Sequence, residues 1–232
     1  TRIAGSHPHR DSRAMETFGM IAAALAGIAF GFVLPAVQHN LYSEAEYRVA
    51  SASGRTLWLL RIFAMAAAGA GLAFAFRPDF YEFGPALLTA VFILALVTVS
   101  STDFERRRIP NKISYPAFAV ALALCWAWPD RSVADILMGA GVGTAAAVLL
   151  VGLGLFLRGG GMGLGVGDGK LMMVMGAMIG WPGIVAALFY GILGAGIVAL
   201  VLMVKQGRGA TFSYGPYLGG GAALLLLFPA LR

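Results

Sequence analysis

The chain has 232 residues, of which 59% are hydrophobic and 12% charged, with a mean hydropathy of +0.81. A soluble domain carries roughly 25% charged residues, so too little polar surface is present to clothe a water-facing exterior, and a soluble globular protein is excluded. The formal charge of +6 reads as membrane topology and attraction to anionic lipid, not as nucleic-acid binding.

The first segment, "TRIAGSHPHRDSRA", is polar and aperiodic. Residues 1–15 are expected to be a disordered terminus or an expression remnant. Apolar runs follow near 17–37, 57–76, 83–101, 113–128, 133–157, 171–181, 183–204 and 214–231. Several approach the roughly 20 residues that cross a hydrocarbon core of ~30 Å. The expected fold class is therefore all-α, a polytopic transmembrane helical bundle of about eight spans. No small-residue cleavage site follows 18–34, so the first span is expected to be retained rather than to act as a signal peptide. The loop 38–55 is too short for a core of its own. The run 171–181 is too short to cross, and is expected to be short or re-entrant.

The loops alternate in basic content. Arg48, Arg55, Arg106, Arg107, Arg108, Lys112, Arg158, Lys170, Lys205 and Arg208 fall on one side, against Arg77, Arg131 and Arg232 on the other. This bias places the first set in the cytoplasm, with both termini outside. Small-residue spacings at Gly27/Gly31, Gly139/Gly143 and Gly176/Gly180 suit close helix approach. The single cysteine, Cys125, lies in an apolar run and reads as packing. The three histidines have no HExxH spacing, and neither a metal nor a cofactor is expected.

Most of the eleven acidic residues sit in polar loops or turns. Two do not. Asp103 ends the apolar run "LLTAVFILALVTVSST", and Asp168 lies in "GVGDGK" before the short run. The alternation puts both at the cytoplasmic membrane edge, with Asp168 expected just below the headgroups beside an irregular glycine backbone. Ionisable groups at membrane depth are expensive and functional by default. Two carboxylates meeting in a partly dry site do not both ionise comfortably, and are expected to share a proton near neutral pH. One then draws a proton from water while the other polarises a carbonyl, the arrangement of aspartic proteases. The phosphate-loop spacing GxxxxGK[ST] is absent from "GMGLGVGDGKLM", so nucleotide binding is discarded.

Three segments, "DFERRRIPNKIS" from Asp103, "GLGVGDGKLMMVMGAMIG" and "SYGPYLGGG" at 213–221, occur in the order of the type IV prepilin peptidases. The chain resembles that family of GxGD-class membrane aspartyl proteases from about residue 85 to the C-terminus. The resemblance implies that Asp103 and Asp168 are the catalytic pair and that Gly165, Gly167 and Lys170 form the active-site loop. Arg106, Arg107, Arg108 or Lys112 would either position substrate or hold topology. The implied substrates are prepilin or pseudopilin proteins with an N-terminal hydrophobic helix, cut on the cytoplasmic side of a bacterial inner membrane after a glycine. Residues 16–82 would be an N-terminal helical region of two spans with a reduced cytoplasmic loop, and 83–232 the peptidase region.

Bifunctional members carry paired CxxC motifs in an N-terminal cytoplasmic insertion and also methylate the new terminus. No cysteine is present there, so peptidase activity alone is expected. A presenilin-like reading needs Pro-Ala-Leu after the second aspartate. It occurs here at 85–87 and 229–231, before both aspartates and at the far end of the last span. The alternative from another class is an ion-coupled membrane transporter using the embedded aspartates.

Overall fold

The computed structural model describes residues 8–41, 54–78, 81–158, 165–206 and 212–231. Among the described residues there are eight α-helices and no strand: α1 (Pro8–Leu41), α2 (Gly54–Ala75), α3 (Phe83–Arg106), α4 (Asn111–Ala123), α5 (Val133–Arg158), α6 (Val166–Ile179), α7 (Gly183–Gln206) and α8 (Gly215–Leu227). Each of the eight apolar runs becomes one helix. Helix α1 begins at Pro8, about two turns ahead of the expected start, while residues 1–7 lie outside the described residues.

Helices α1, α2, α3, α5 and α7 are long and apolar enough to cross a membrane. The expected single short segment becomes three. Helices α4, α6 and α8 have 13, 14 and 13 residues, which at 1.5 Å per residue is only about 20 Å. Their ends have local causes. Helix α4 starts after Pro110 and leaves helical geometry at Leu124, where the chain tightens into a 3₁₀ turn over Cys125–Ala127. Helix α6 lies between extended Gly165 and Gly180 at φ 76°. Helix α8 opens on Gly215 and Pro216 and breaks at Phe228.

Glycine sets how closely the helices pack. A methyl group on Gly31 would sit 2.6 Å from the Met65 Cα, and one on Gly27 would meet the Ala68 backbone, so α1 and α2 touch main chain to main chain. Gly139 of α5 faces Gly176 of α6 and Gly180 just after it in the same way, and Gly143 faces Met172. All three small-residue spacings therefore lie in helix interfaces, as their sequence suggested. The core runs between α3, α6 and α8, where Phe92, Leu96, Met172, Met175, Leu218 and Leu225 are buried. Unbranched methionines suit this irregular three-helix seam. The outer helices turn large apolar side chains such as Phe32, Phe63, Val148 and Leu200 outward, as lipid-facing helices do.

The helices alternate in direction, as the basic loops require. The C-terminal ends of α1 and α3 meet through Gln38, whose Nε2 donates to Ser101 Oγ at 3.0 Å. The same end of the bundle receives the start of α8, joined to Asp103, and the start of α4, joined to Lys170 of α6. At the opposite end, Arg77 Nη2 donates to the Leu227 carbonyl of α8 at 2.6 Å, and Arg131 Nη1 donates to the Met178 carbonyl of α6. Arg131 also stacks over Trp128, 4.3 Å from the ring centre. Two of the three basic residues on the sparse side, Arg77 and Arg131, thus reach carbonyls at the ends of two short helices and complement their dipoles.

Candidate active site

Asp103 lies in the last turn of α3, and its placement follows from how that helix stops. Arg107 adopts a left-handed conformation (φ 53°) and its N–H donates to the Asp103 carbonyl at 2.7 Å. The same carbonyl accepts from Ser213 Oγ at 2.8 Å. The chain turns away through Ile109 and Pro110, which opens the side of the last turn to α8. Into that opening comes Gly215, whose N–H donates to Asp103 Oδ2 at 2.9 Å. Asp103 is 5% exposed.

Asp168 is held by its own helix. It occupies the third position of α6, and its Oδ2 accepts the N–H of Gly165, the residue before the helix, at 3.0 Å. This is the carboxylate half of a capping box. Asp168 is 9% exposed. The expected irregular glycine backbone is therefore a helix start from Gly165 onward, and residues 161–164 of that expectation lie outside the described residues. The two carboxylates are near enough that the charge of Asp168 acts on Asp103.

Each carboxylate thus has the same arrangement. One oxygen, Oδ2, is tied to a glycine N–H at the start of a helix, and Oδ1 accepts no hydrogen bond from the protein among the described residues. Positive helix ends suit this, because the first N–H groups have no partner inside the helix. Two carboxylates this close do not both ionise comfortably and can share one proton. A shared proton gives such a pair one acid and one base, the two groups that acid–base hydrolysis of a carbonyl uses.

The other expected site residues divide. Gly165 precedes α6, and Gly167 packs in its first turn, where an added methyl group would lie 3.4 Å from the Ile109 Cβ. Lys170 reaches across to α4: its Nζ donates to Asn111 Oδ1 at 3.0 Å and lies 5.7 Å from the Tyr115 ring centre. It thereby ties the start of α4 to the start of α6, two residues past Asp168. Arg107 lies close enough for its charge to act on Asp103. Arg107, Arg108 and Lys112 are exposed, while Arg106 is drawn into a cavity between α1, α2 and α3.

Gly215, Ser213 and Asn111 were not singled out as site residues by composition or periodicity. All three lie inside the quoted family segments, which was the one signal available. The contact at Gly215 is tight: a methyl group there would sit 2.6 Å from Asp103 Oδ2 and 2.9 Å from its Cγ. Gly215→Ala is expected to push the carboxylate aside and lower kcat by roughly 10²-fold, the usual result of about 1 Å of misplacement. Gly220→Ala on the same helix, where a methyl group meets nothing within 4 Å, is expected to leave turnover unchanged. A proteolysis assay on the two purified variants checks both outcomes.

Residues 90–201 match the type IV leader peptidase family. The matched stretch contains Asp103, Asp168 and the α6 start. No curated protein and no solved structure matches it.

Proposed function

We propose that this chain, a type IV leader peptidase-like membrane protease by its match over residues 90–201, is an aspartyl endopeptidase that removes the leader of prepilin-like proteins. The reading is supported by one observation: two buried carboxylates, close enough for the charge of one to act on the other, each have one oxygen held by a glycine N–H at a helix start. Residues 83–232 form the peptidase region, and 16–82 form an N-terminal region whose helices, α1 and α2, pack against α3. The bias of basic loops supports a cytoplasmic site in a bacterial inner membrane.

In this mechanism one aspartate is ionised and the other protonated. The ionised carboxylate takes a proton from the bound water as its oxygen attacks the scissile carbonyl carbon. The protonated partner gives its proton to the carbonyl oxygen, so a neutral gem-diol forms. Collapse of that intermediate breaks the C–N bond, and the carboxylic acid formed in the first step delivers its proton to the leaving nitrogen. The gem-diol returns its other proton to the ionised partner as the new carboxylic acid forms. The pair ends with one proton, as it began. The substrate enters as the start of a hydrophobic helix, so its cleavage point comes to the membrane edge where the pair lies.

Co-expression with a candidate prepilin tests the reading. The expected product is a pilin shortened at a glycine, seen by N-terminal sequencing, with an unmethylated terminus by mass spectrometry. An uncut prepilin refutes the peptidase. A cut pilin with a methylated terminus refutes only the expectation that methylation is absent. Intact cleavage by Asp103→Asn and Asp168→Asn variants, together with altered ion flux, would favour the transporter.

A further inference from the structure

The end of α3 is held from two sides. On the Asp103 side stands the start of α8. Ser213 Oγ donates to the Asp103 carbonyl and the Gly215 N–H to its carboxylate. One turn further along α8, Gly219 comes so close that a methyl group there would sit 2.5 Å from Ser100 Oγ. On the other side stands α1. Ser101 lies two residues before Asp103, about 200° around the helix, and its Oγ accepts from Gln38 Nε2 at 3.0 Å.

Gln38 is an expensive choice at its position. It belongs to the apolar span Met15–His39 and is the one buried polar residue of α1 among the described residues, at 5% exposed. A buried amide destabilises unless it is bonded, so packing alone would favour leucine here. Ser101 supplies the bond, and with it α1 gains a fixed attachment to α3 within a turn of Asp103. The end of α3 has use for one. The hydroxyls of Thr98 and Thr102 bond back to the carbonyls of Leu94 and Thr98, a pattern that bends helices and weakens them slightly. Helical geometry then stops at Arg107. The last two turns are therefore not stiff by themselves, and the bonds from α8 reach them from one side.

We infer that Gln38 and Ser101 are positioning residues. Through them α1, which lies outside the matched stretch 90–201, braces the far side of the α3 end, so that Asp103 stays seated on the Gly215 N–H. The brace itself is independent of any activity, and its effect on turnover rests on the peptidase reading.

The test uses the full chain in detergent and the variants Gln38→Leu, Ser101→Ala, the two combined, and Ser101→Thr. Thr144→Ala, which removes a hydroxyl bonded back along α5, is the control. Amide hydrogen exchange read by mass spectrometry needs no substrate. Exchange over residues 100–107 is expected to be about fivefold faster in Gln38→Leu and in Ser101→Ala. It should be no faster in the combined variant, because the two residues form one contact, and unchanged over 166–179 of α6. Ser101→Thr keeps the hydroxyl and should behave as wild type, as should Thr144→Ala. With a prepilin substrate, both single variants are expected to lower kcat about tenfold at unchanged KM. That kcat is taken per folded molecule, so loss of stability alone does not produce it. Wild-type exchange in both single variants overturns the inference. So does unchanged kcat beside an inactive Asp103→Asn, a result that leaves the peptidase reading intact. Faster exchange in the variants of a chain that cuts no prepilin refutes the peptidase reading and leaves the brace standing.

Discussion

Asp103→Asn and Asp168→Asn are each expected to abolish prepilin cleavage while leaving the protein folded. Asparagine keeps the size and can still accept the Gly215 or Gly165 N–H through its carbonyl oxygen, so the hydrogen bond that fixes the side chain survives. What disappears is the proton chemistry. General acid–base catalysis contributes about 10²–10⁴-fold, and each variant removes a group needed in both the attack and the collapse. The double variant is expected to be no slower than either single one, because residues that act as a unit are not additive. Activity in the wild type should follow a bell with pH. At low pH both carboxylates are protonated and none can take the proton of water. At high pH both are ionised and none can protonate the carbonyl. Single-turnover cleavage in detergent across the pH range, with melting temperatures recorded in parallel, measures all of this. A variant that retains full activity removes its aspartate from the mechanism.

Gly139→Ala and Gly176→Ala are expected to destabilise the bundle strongly, whereas Gly141→Ala does not. Gly139 and Gly141 lie on the same helix, α5, and undergo the same chemical change. A methyl group on Gly139 would meet the Gly176 carbonyl and lie 2.7 Å from the Gly180 Cα, while one on Gly141 meets nothing within 4 Å. The opposing atoms are backbone and have no rotamer to escape into, so α5 and α6 must move apart. Overpacking of this kind costs about 1–3 kcal/mol. Gly141→Ala replaces a poor helix former with a good one, worth about 1 kcal/mol in the opposite direction. Since α6 also carries Asp168, the Gly139 and Gly176 variants should lose activity along with stability. Apparent melting temperatures of the three purified variants separate the outcomes, and equal melting points would show that α5 and α6 do not pack through these glycines.

Much of this protein was legible without coordinates. Long apolar runs with polar breaks state where helices lie, because within a single segment only a helix satisfies its own backbone hydrogen bonds in lipid. The uneven loops state how those helices alternate. The same scarcity of charge made Asp103 and Asp168 conspicuous, since a carboxylate beside an apolar run has few bland explanations. The three glycine spacings are a local pattern, and each proved to lie in an interface.

What the order of residues left open depends on contacts between elements far apart in the chain. Nothing near Asp103 in sequence indicates that the N–H of Gly215 holds its carboxylate, because that bond exists only once α3 and α8 pack together. Arg77 and Arg131 read as minor topological charges until α6 and α8 proved short, and carbonyls at the ends of those helices proved to accept from these two side chains. Arg106 looked like its exposed neighbours Arg107 and Arg108, yet it is drawn into the α1–α2–α3 cavity, because the left-handed turn at Arg107 separates them. Composition and periodicity determine which segments enter the membrane and which ionisable groups go with them. Partners for those groups are decided by which backbones come close, and that is a property of the packed bundle alone.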